Sequence, residues 1–401
     1  MSALAVLLSE AEAALLQQDL GRAATLYARA SELDEAAPLP SLGAARVALM
    51  LGRPAEALVL VERVLSRHEG LVQALTLRGA IEEAVDDPAE ARRWYERAVR
   101  ADRGYGPARL NLARTLSALQ RWPEAVKEFR AGLALWPGQH DAVPMFAVAL
   151  MRAGQSAEAI RVLTGLLENE PEHVDALVTL ADALVENDQP ALAQEVLSNA
   201  CARLPNRAVF FARRASLALR LGNLPLARTA VDQQLRLTPD DAEACLFAAS
   251  LAMSALDFDD AERRVQAALK AAPYSWRPHY LLGMIYEALR LRTPAMVAYR
   301  TAIAYGTDRW EPRNNLAVLL LELKTESAAK EARALLERAL ALKPPREALD
   351  LRYNLALAFW QLGDRVASER TARTVAQSGA SLPVVETAKR FLTNFTRQSR
   401  T

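Results

Sequence analysis

The side chains most able to do chemistry in this chain are four histidines, two cysteines and neighbouring aspartates. His68, His140, His173 and His279 have the donor atoms to ligate a metal or shuttle protons, and Cys201 and Cys245 have those for a thiolate ligand or nucleophile. Asp240 with Asp241, and Asp259 with Asp260, offer paired carboxylates of the kind that acid–base chemistry uses. Their spacing argues against each use. No His or Cys pair stands at metal-ligand separation, and the histidines fall in four separate segments. Both cysteines lie in apolar stretches and read as small core residues. The aspartate pairs stand just before helix-like segments, where a carboxylate caps free amides and complements the helix dipole. No glycine-rich phosphate loop and no nucleophile motif is present. The expectation is therefore no catalytic residue, no metal, no cofactor and no enzyme.

Stepping outward to the elements that carry these residues, composition points to helix. Hydrophobic residues make up 51% of the 401, dominated by Ala and Leu, while aromatics are only 6%. With 49 basic against 48 acidic residues, no whole-molecule field draws the chain to nucleic acid or an anionic membrane. Arg outnumbers Lys by 43 to 6, which fits a GC-rich bacterial genome. The first residues, MSALAVLLSEAEAALL, lack a basic start and are broken by Glu10 and Glu12, so they predict an amphipathic helix and not an export signal. No apolar run reaches the ~18 to 20 residues that span a bilayer. A cytoplasmic protein without membrane insertion is expected.

The helices recur with a fixed period. Ala23, Ala57, Ala91, Ala125, Ala159, Ala193, Ala227, Ala261 and Ala295 each stand 34 residues after the last, and looser copies centre on Ala332 and Ser368. An earlier small position is filled by Ala11, Ala45, Gly79, Ala113, Ala147, Ala181, Ala215, Ala249, Gly283, Ala317 and Ala356. Uniform smallness marks where two helices close on each other, since a bulkier side chain there would overpack at ~1 to 3 kcal/mol. Four residues after the second alanine comes a large apolar side chain, as at Tyr27, Tyr95, Phe129, Leu163 and Tyr299. Pro137, Pro171, Pro205, Pro239, Pro273 and Pro344 end the later units, and Pro54, Pro88, Pro123 and Pro190 open second helices.

Period, small positions, aromatic and terminal proline together resemble the tetratricopeptide repeat, TPR. The resemblance implies an all-α fold, a right-handed superhelical α-solenoid of helix-turn-helix repeats. Residues 1–382 form the array in this reading, with units starting near 4, 38, 72, 106, 140, 174, 208, 242, 276, 310 and 349. Residues 383–401 form a C-terminal capping helix and tail, with Val384, Val385, Ala388, Phe391, Leu392 and Phe395 on one side. A three-residue insertion in the tenth unit, within LELKTESAAKEA, should lengthen the turn or the helix ends.

In this family the first helix of each unit lines a groove that takes partner polypeptides. The groove-side residues of the second to eighth units are small, apolar or isolated charges, among them Arg46, Arg114, Arg152, Asp182, Glu186 and Arg220. The ninth to eleventh units differ. Trp276, Arg277, Tyr280, Met284, Trp310, Asn314, Asn315, Tyr353, Asn354 and Trp360 form the candidate partner site, because Asn offers a donor and an acceptor to a backbone and aromatic rings give large contact area. Asn315 and Asn354 hold equivalent places and resemble an Asn ladder. Against that stands a structural role: Trp276 and Trp310 as wedges between units, and the Asn residues bonded to a neighbouring turn. Asp141, Asp175, Glu243, Glu311 and Asp350 recur at one repeat position and read as first-turn residues that favour the helix dipole.

The function expected is a non-catalytic scaffold or adaptor binding a protein or peptide partner, in a bacterial envelope, pilus, secretion or regulatory assembly. A targeting subunit for a separate catalytic chain and an RNA-binding helical repeat are the alternatives. Nucleic acid is not expected as a partner, since the groove candidates mix signs or lean acidic.

Overall fold

The computed structural model describes residues 2–342, 344, 349–380 and 382–398, with side chains as far as Asn394. Phe395, read as part of the terminal apolar face, lies outside the described side chains. Every regular element among the described residues is a helix, and the chain divides into two compact units, residues 1–205 and 206–401.

Unit 1 holds six hairpins: α1 (Ala3–Leu16) with α2 (Leu20–Leu33), α3 (Pro38–Met50) with α4 (Pro54–Arg67), α5 (Val72–Ala84) with α6 (Pro88–Ala101), α7 (Gly106–Ala118) with α8 (Trp122–Leu135), α9 (Ala142–Arg152) with α10 (Ser156–Asn169), and α11 (Val174–Glu186) with α12 (Pro190–Arg203). Unit 2 continues with α13 (Ala208–Arg220) and α14 (Leu224–Leu237), α15 (Ala242–Ser254) and α16 (Phe258–Ala271), α17 (Trp276–Ala288) and α18 (Arg292–Tyr305), α19 (Glu311–Glu322) and α20 (Glu326–Ala341), α21 (Leu349–Gln361) and α22 (Arg365–Ala376), and a final α23 (Pro383–Gln398). Each unit is a solenoid in which every helix packs on the next, and first helices also touch across hairpins, as α3 does α5 and α19 does α21. The α23 helix packs on α22 and α21 in the way the first helix of a further hairpin would, burying Val384, Val385 and Ala388.

Side-chain volume explains the packing. The repeating alanines are fully buried, from Ala23 to Ala295. Where the first helix carries Gly79 or Gly283, the partner position holds a tyrosine, and a Cβ on either glycine would stand 2.6 or 2.4 Å from the Tyr95 or Tyr299 ring. Gly43 makes the same room for Tyr27. These glycines are therefore close-approach positions in helix interiors, where they otherwise cost ~1 kcal/mol against Ala.

The turn inside each hairpin is closed by one residue in the left-handed region. Gln18, Gly52, Asp86, Gln120, Gly154, Asp188, Gly222, Leu256, Arg290, Lys324 and Gly363 all have positive φ. The residue after it starts the next helix from a cap, with Asp19, Asp87, Asn223, Asp257, Thr325 and Asp364 each accepting an amide hydrogen. The tenth-unit insertion is absorbed as helix, α20 having 16 residues where α18 has 14.

One aspartate reading needs correction. Asp241 does cap α15, but Asp257 caps α16, and Asp259 and Asp260 lie inside its first turn. Asp260 is buried and meets Arg228, Arg263 and Arg264 at 3.0 to 3.3 Å, so its carboxylate joins an ion network across α14 and α16.

Candidate functional site

The four histidines do not converge. His68 ends α4, His173 caps α11, His279 sits in α17, and His140 pairs with Glu170 in the loops before α9 and α11. Among the described residues no three His, Cys, Asp or Glu side chains gather as metal ligands. Cys201 and Cys245 are buried, and burial raises the Cys245 thiol above its ordinary value. No helix among the described residues is long and apolar enough to cross a membrane.

In unit 2 the first helices carry the polar and aromatic residues that the sequence singled out, and the structure divides them. Trp276 packs against Gly306, where a Cβ would stand 2.7 Å from its Cγ, and the Arg309 guanidinium lies over its ring 5.4 Å from the centre. Trp310 caps the start of α19 and packs, partly buried, on the apolar core that includes Tyr299. Trp276 thus packs within its own repeat, and it also lines a recess of about 360 Å³ with Phe247, Arg277 and Tyr280. Arg277 is tied to Glu243, one unit back, at 2.5 Å.

Tyr280, Tyr299 and Asn315 form one cluster. Asn315 Nδ2 donates to Tyr299 Oη at 3.3 Å and Tyr280 Oη at 3.5 Å, and burial pushes both phenols above their usual range. Beside them a second recess of about 460 Å³ is lined by Met253, Met284, Glu287 and Asn315. The Asn pairing is not between equivalent positions. Asn354 Nδ2 donates to Asn314 Oδ1 at 2.9 Å, linking adjacent first helices, while Asn315 turns toward the tyrosines. Tyr353 and Trp360 both meet Phe391 of α23 edge-on, at 6.2 and 5.5 Å between ring centres. Phe391, read from sequence only as part of a terminal apolar face, belongs to this aromatic group.

In unit 1 the first-helix face holds a cavity that sequence reasoning missed. It measures about 470 Å³ and is lined from α1, α2, α3, α5 and α7, with Leu8, Leu39, Leu42, Leu77 and Tyr105 as its apolar wall. Arg46, read as an isolated charge, is not isolated: its Nη2 meets both Glu12 carboxylate oxygens at 2.7 Å. The Tyr27 hydroxyl donates to the same carboxylate at 2.7 Å. Burial opposes Glu12 ionisation, yet the hydrogen bonds from Tyr27 and Arg46 outweigh it and hold the carboxyl below its usual range. Burial and the same bond push the Tyr27 phenol up to about 12. Tyr95 to Glu83 at 3.0 Å and Tyr299 to Glu287 at 2.7 Å make the same kind of bond, but from a carboxylate twelve residues before the tyrosine where Glu12 stands fifteen before Tyr27, so the spacing alone does not point to Glu12. In each of these hairpins a tyrosine on the second helix reaches through to a carboxylate on the first.

Two family models, both described as tetratricopeptide repeat, match this chain, one over residues 84–142 and 150–217 and the other over 42–106 and 246–291. The chain belongs to the tetratricopeptide repeat family. Together the matched spans take in more than half of it. Such repeats typically bind polypeptides, and the TPR fold is that of a protein-interaction scaffold. Comparison with curated protein sequences gives no match. Among solved structures, yeast Tom70 is similar at 16% identity and TM-score 0.49, covering 99% of this chain and 96% of that one. YrrB, described as a TPR protein with an unusual peptide-binding site, is similar at 20% identity and TM-score 0.41, over 46% of this chain and 96% of its own. A thermophilic TPR protein of Thermus thermophilus shares 21% identity at TM-score 0.40 over 46% of this chain and 100% of its own.

Proposed function

We propose that this TPR chain is a non-catalytic scaffold that holds a polypeptide partner on its first-helix face, with the α17, α19 and α21 residues of unit 2 as a main contact. The observation that carries this reading is the bridge from Asn354 to Asn314. It spends one amide donor and one amide acceptor, so the pair keeps an NH2 group on Asn314 and an oxygen on Asn354 for a ligand. A donor and an acceptor on neighbouring helices match the C=O and N–H of a main chain. Tyr280, Tyr353 and Trp360 stand half-buried around them, giving contact area at low cost in side-chain entropy. Arg277, Met284 and Asn315 line the adjoining recesses, and Trp276 and Trp310 support them. The arginine-rich composition supports a bacterial setting, in which an adaptor role in an envelope, pilus, secretion or regulatory assembly and a cytoplasmic location are the readings carried forward.

Selection of a displayed random-peptide library on the purified protein tests this. Peptides recovered on the wild type should bind Tyr280→Ala/Asn314→Ala at least about tenfold more weakly, by fluorescence anisotropy, at unchanged helicity. Undiminished binding to the double variant overturns the assignment of the site.

A further inference from the structure

We infer that the cavity on unit 1 accepts an uncharged apolar side chain, of the Leu, Met, Phe or Trp kind, as an anchor presented by the bound polypeptide. This rests on the partner being a polypeptide, as proposed above, and adds a second contact with its own selectivity. The two charges of the cavity wall are spent on each other, with Arg46 bonded to both oxygens of Glu12 and the Tyr27 hydroxyl completing the carboxylate. Thr76 donates to Val72 O of its own helix at 2.7 Å. Asn111 Oδ1 accepts from Arg114 at 3.2 Å.

Among Leu8, Leu39, Leu42 and Leu77 an ionised side chain would leave water beside an ion pair already neutralised within itself, which is costly in an apolar recess. An apolar one meets Leu8, Leu39, Leu42 and Leu77 and exchanges water for carbon on both sides. Leu39 is 58% exposed, so the wall is open to a visitor and not already covered by the chain. At about 470 Å³ the space has room for a large aromatic or aliphatic side chain. The bonded Arg46 and Glu12 also remain partly exposed, forming a polar rim that does not invite either sign of charge.

The test uses the full chain and the same displayed random-peptide library. Ala80→Phe fills the cavity from α5, and Leu39→Asp, at an exposed position, sets a carboxylate in its wall without touching the core. Peptides selected on the wild type should share an uncharged apolar residue at one position and lose about tenfold or more in affinity for both variants. Their wild-type affinity should change less than about twofold between low and high salt, since no screened charge pair crosses the contact. Peptides that share Asp, Glu, Lys or Arg at the common position overturn the inference. So does equal binding to the wild type, Ala80→Phe and Leu39→Asp, and loss confined to Tyr280→Ala/Asn314→Ala would then leave the unit 2 reading standing. A library from which the wild type holds no peptide overturns both.

Discussion

Replacing one helical glycine by alanine should destabilise the protein in one hairpin and stabilise it in another, because the two glycines face different neighbours. In α17, a Cβ on Gly283 would stand 2.4 Å from Tyr299 Cε1 and 2.5 Å from Cδ1, against the ~3.5 to 4.0 Å at which carbons rest. The ring would have to move by roughly 1 Å. It has nowhere easy to go: it is fully buried, and its hydroxyl donates to Glu287 at 2.7 Å. Overpacking of this kind costs ~1 to 3 kcal/mol, and straining a hydrogen bond to a charged acceptor adds about 1 kcal/mol. Helix propensity returns about 1 kcal/mol, so Gly283→Ala should lose about 1 to 3 kcal/mol net. Gly165 in α10 is exposed, with no atom within 4 Å of its Cβ site. There Gly165→Ala should gain ~0.5 to 1 kcal/mol. Solenoids open locally, so the assay is hydrogen exchange resolved to peptides. Amides of α17 and α18 should exchange about tenfold faster or more, and those of α10 a few-fold slower, since ~1.4 kcal/mol is a factor of ten. Adding Tyr299→Val to Gly283→Ala should cost less than the two singles summed, because Ala opposite Val is already packed at Ala215 and Val231 and at Ala249 and Val265. Unchanged or slowed exchange in α17 with Gly283→Ala would refute the packing rule.

The remaining predictions concern charge and turn geometry. Glu12 has its pKa lowered from 4.5, so its contribution is present above that value and is lost as pH falls through the folded pKa. Exchange in α1 and α2 should therefore quicken below about pH 4.5, and Glu12→Gln should flatten that dependence. Tyr27, raised from 10 to about 12, works at the other limb: the same hairpin should weaken as pH climbs through that window, and Tyr27→Phe should remove the effect. Asp260→Asn should cost about 2 kcal/mol by urea unfolding, short of the ~3 to 5 for a fully buried pair because its arginines are partly in water. Glu243→Gln breaks a pair with both side chains more than half exposed and should stay within ~0.5 kcal/mol of wild type. Leu256 holds φ +60 and is 74% exposed, so Leu256→Gly should stabilise the α15–α16 hairpin by ~1 kcal/mol, read as slower exchange there.

The repeat register was legible in sequence because close packing restricts residue type at fixed positions, whatever the neighbours are. Ala23 through Ala295, the first-turn prolines and the terminal prolines are local demands, and each is met where the period puts it. The left-handed turn residue was not legible, since Gln, Asp, Leu, Arg and Lys fill it as well as Gly. A turn with its amides and carbonyls already paired to the helix ends can carry that strain at ~1 to 2 kcal/mol, so side-chain identity leaves little trace. Side-chain bonding across hairpins was hidden for a different reason. Whether Asn354 meets Asn314 or Asn315 depends on the rotation of two helices about their axes, and a shift of one residue turns a helix face by ~100 degrees.

Packing consumes the alanines and the Trp276 face that meets Gly306, and intrachain bonding consumes Arg46, Glu12 and Arg277. What a partner meets is the remainder. On unit 1 the remainder is leucine around a neutralised ion pair, which by the inference above would select buried carbon over charge. On unit 2, in the function proposed above, it is one amide donor and one amide acceptor among aromatic rings, a pairing that would select main-chain geometry over side-chain identity. A segment that satisfied only one of these would gain only part of the binding energy. Selectivity of this scaffold should therefore reside in whether a partner carries both features, an apolar anchor and an exposed stretch of backbone.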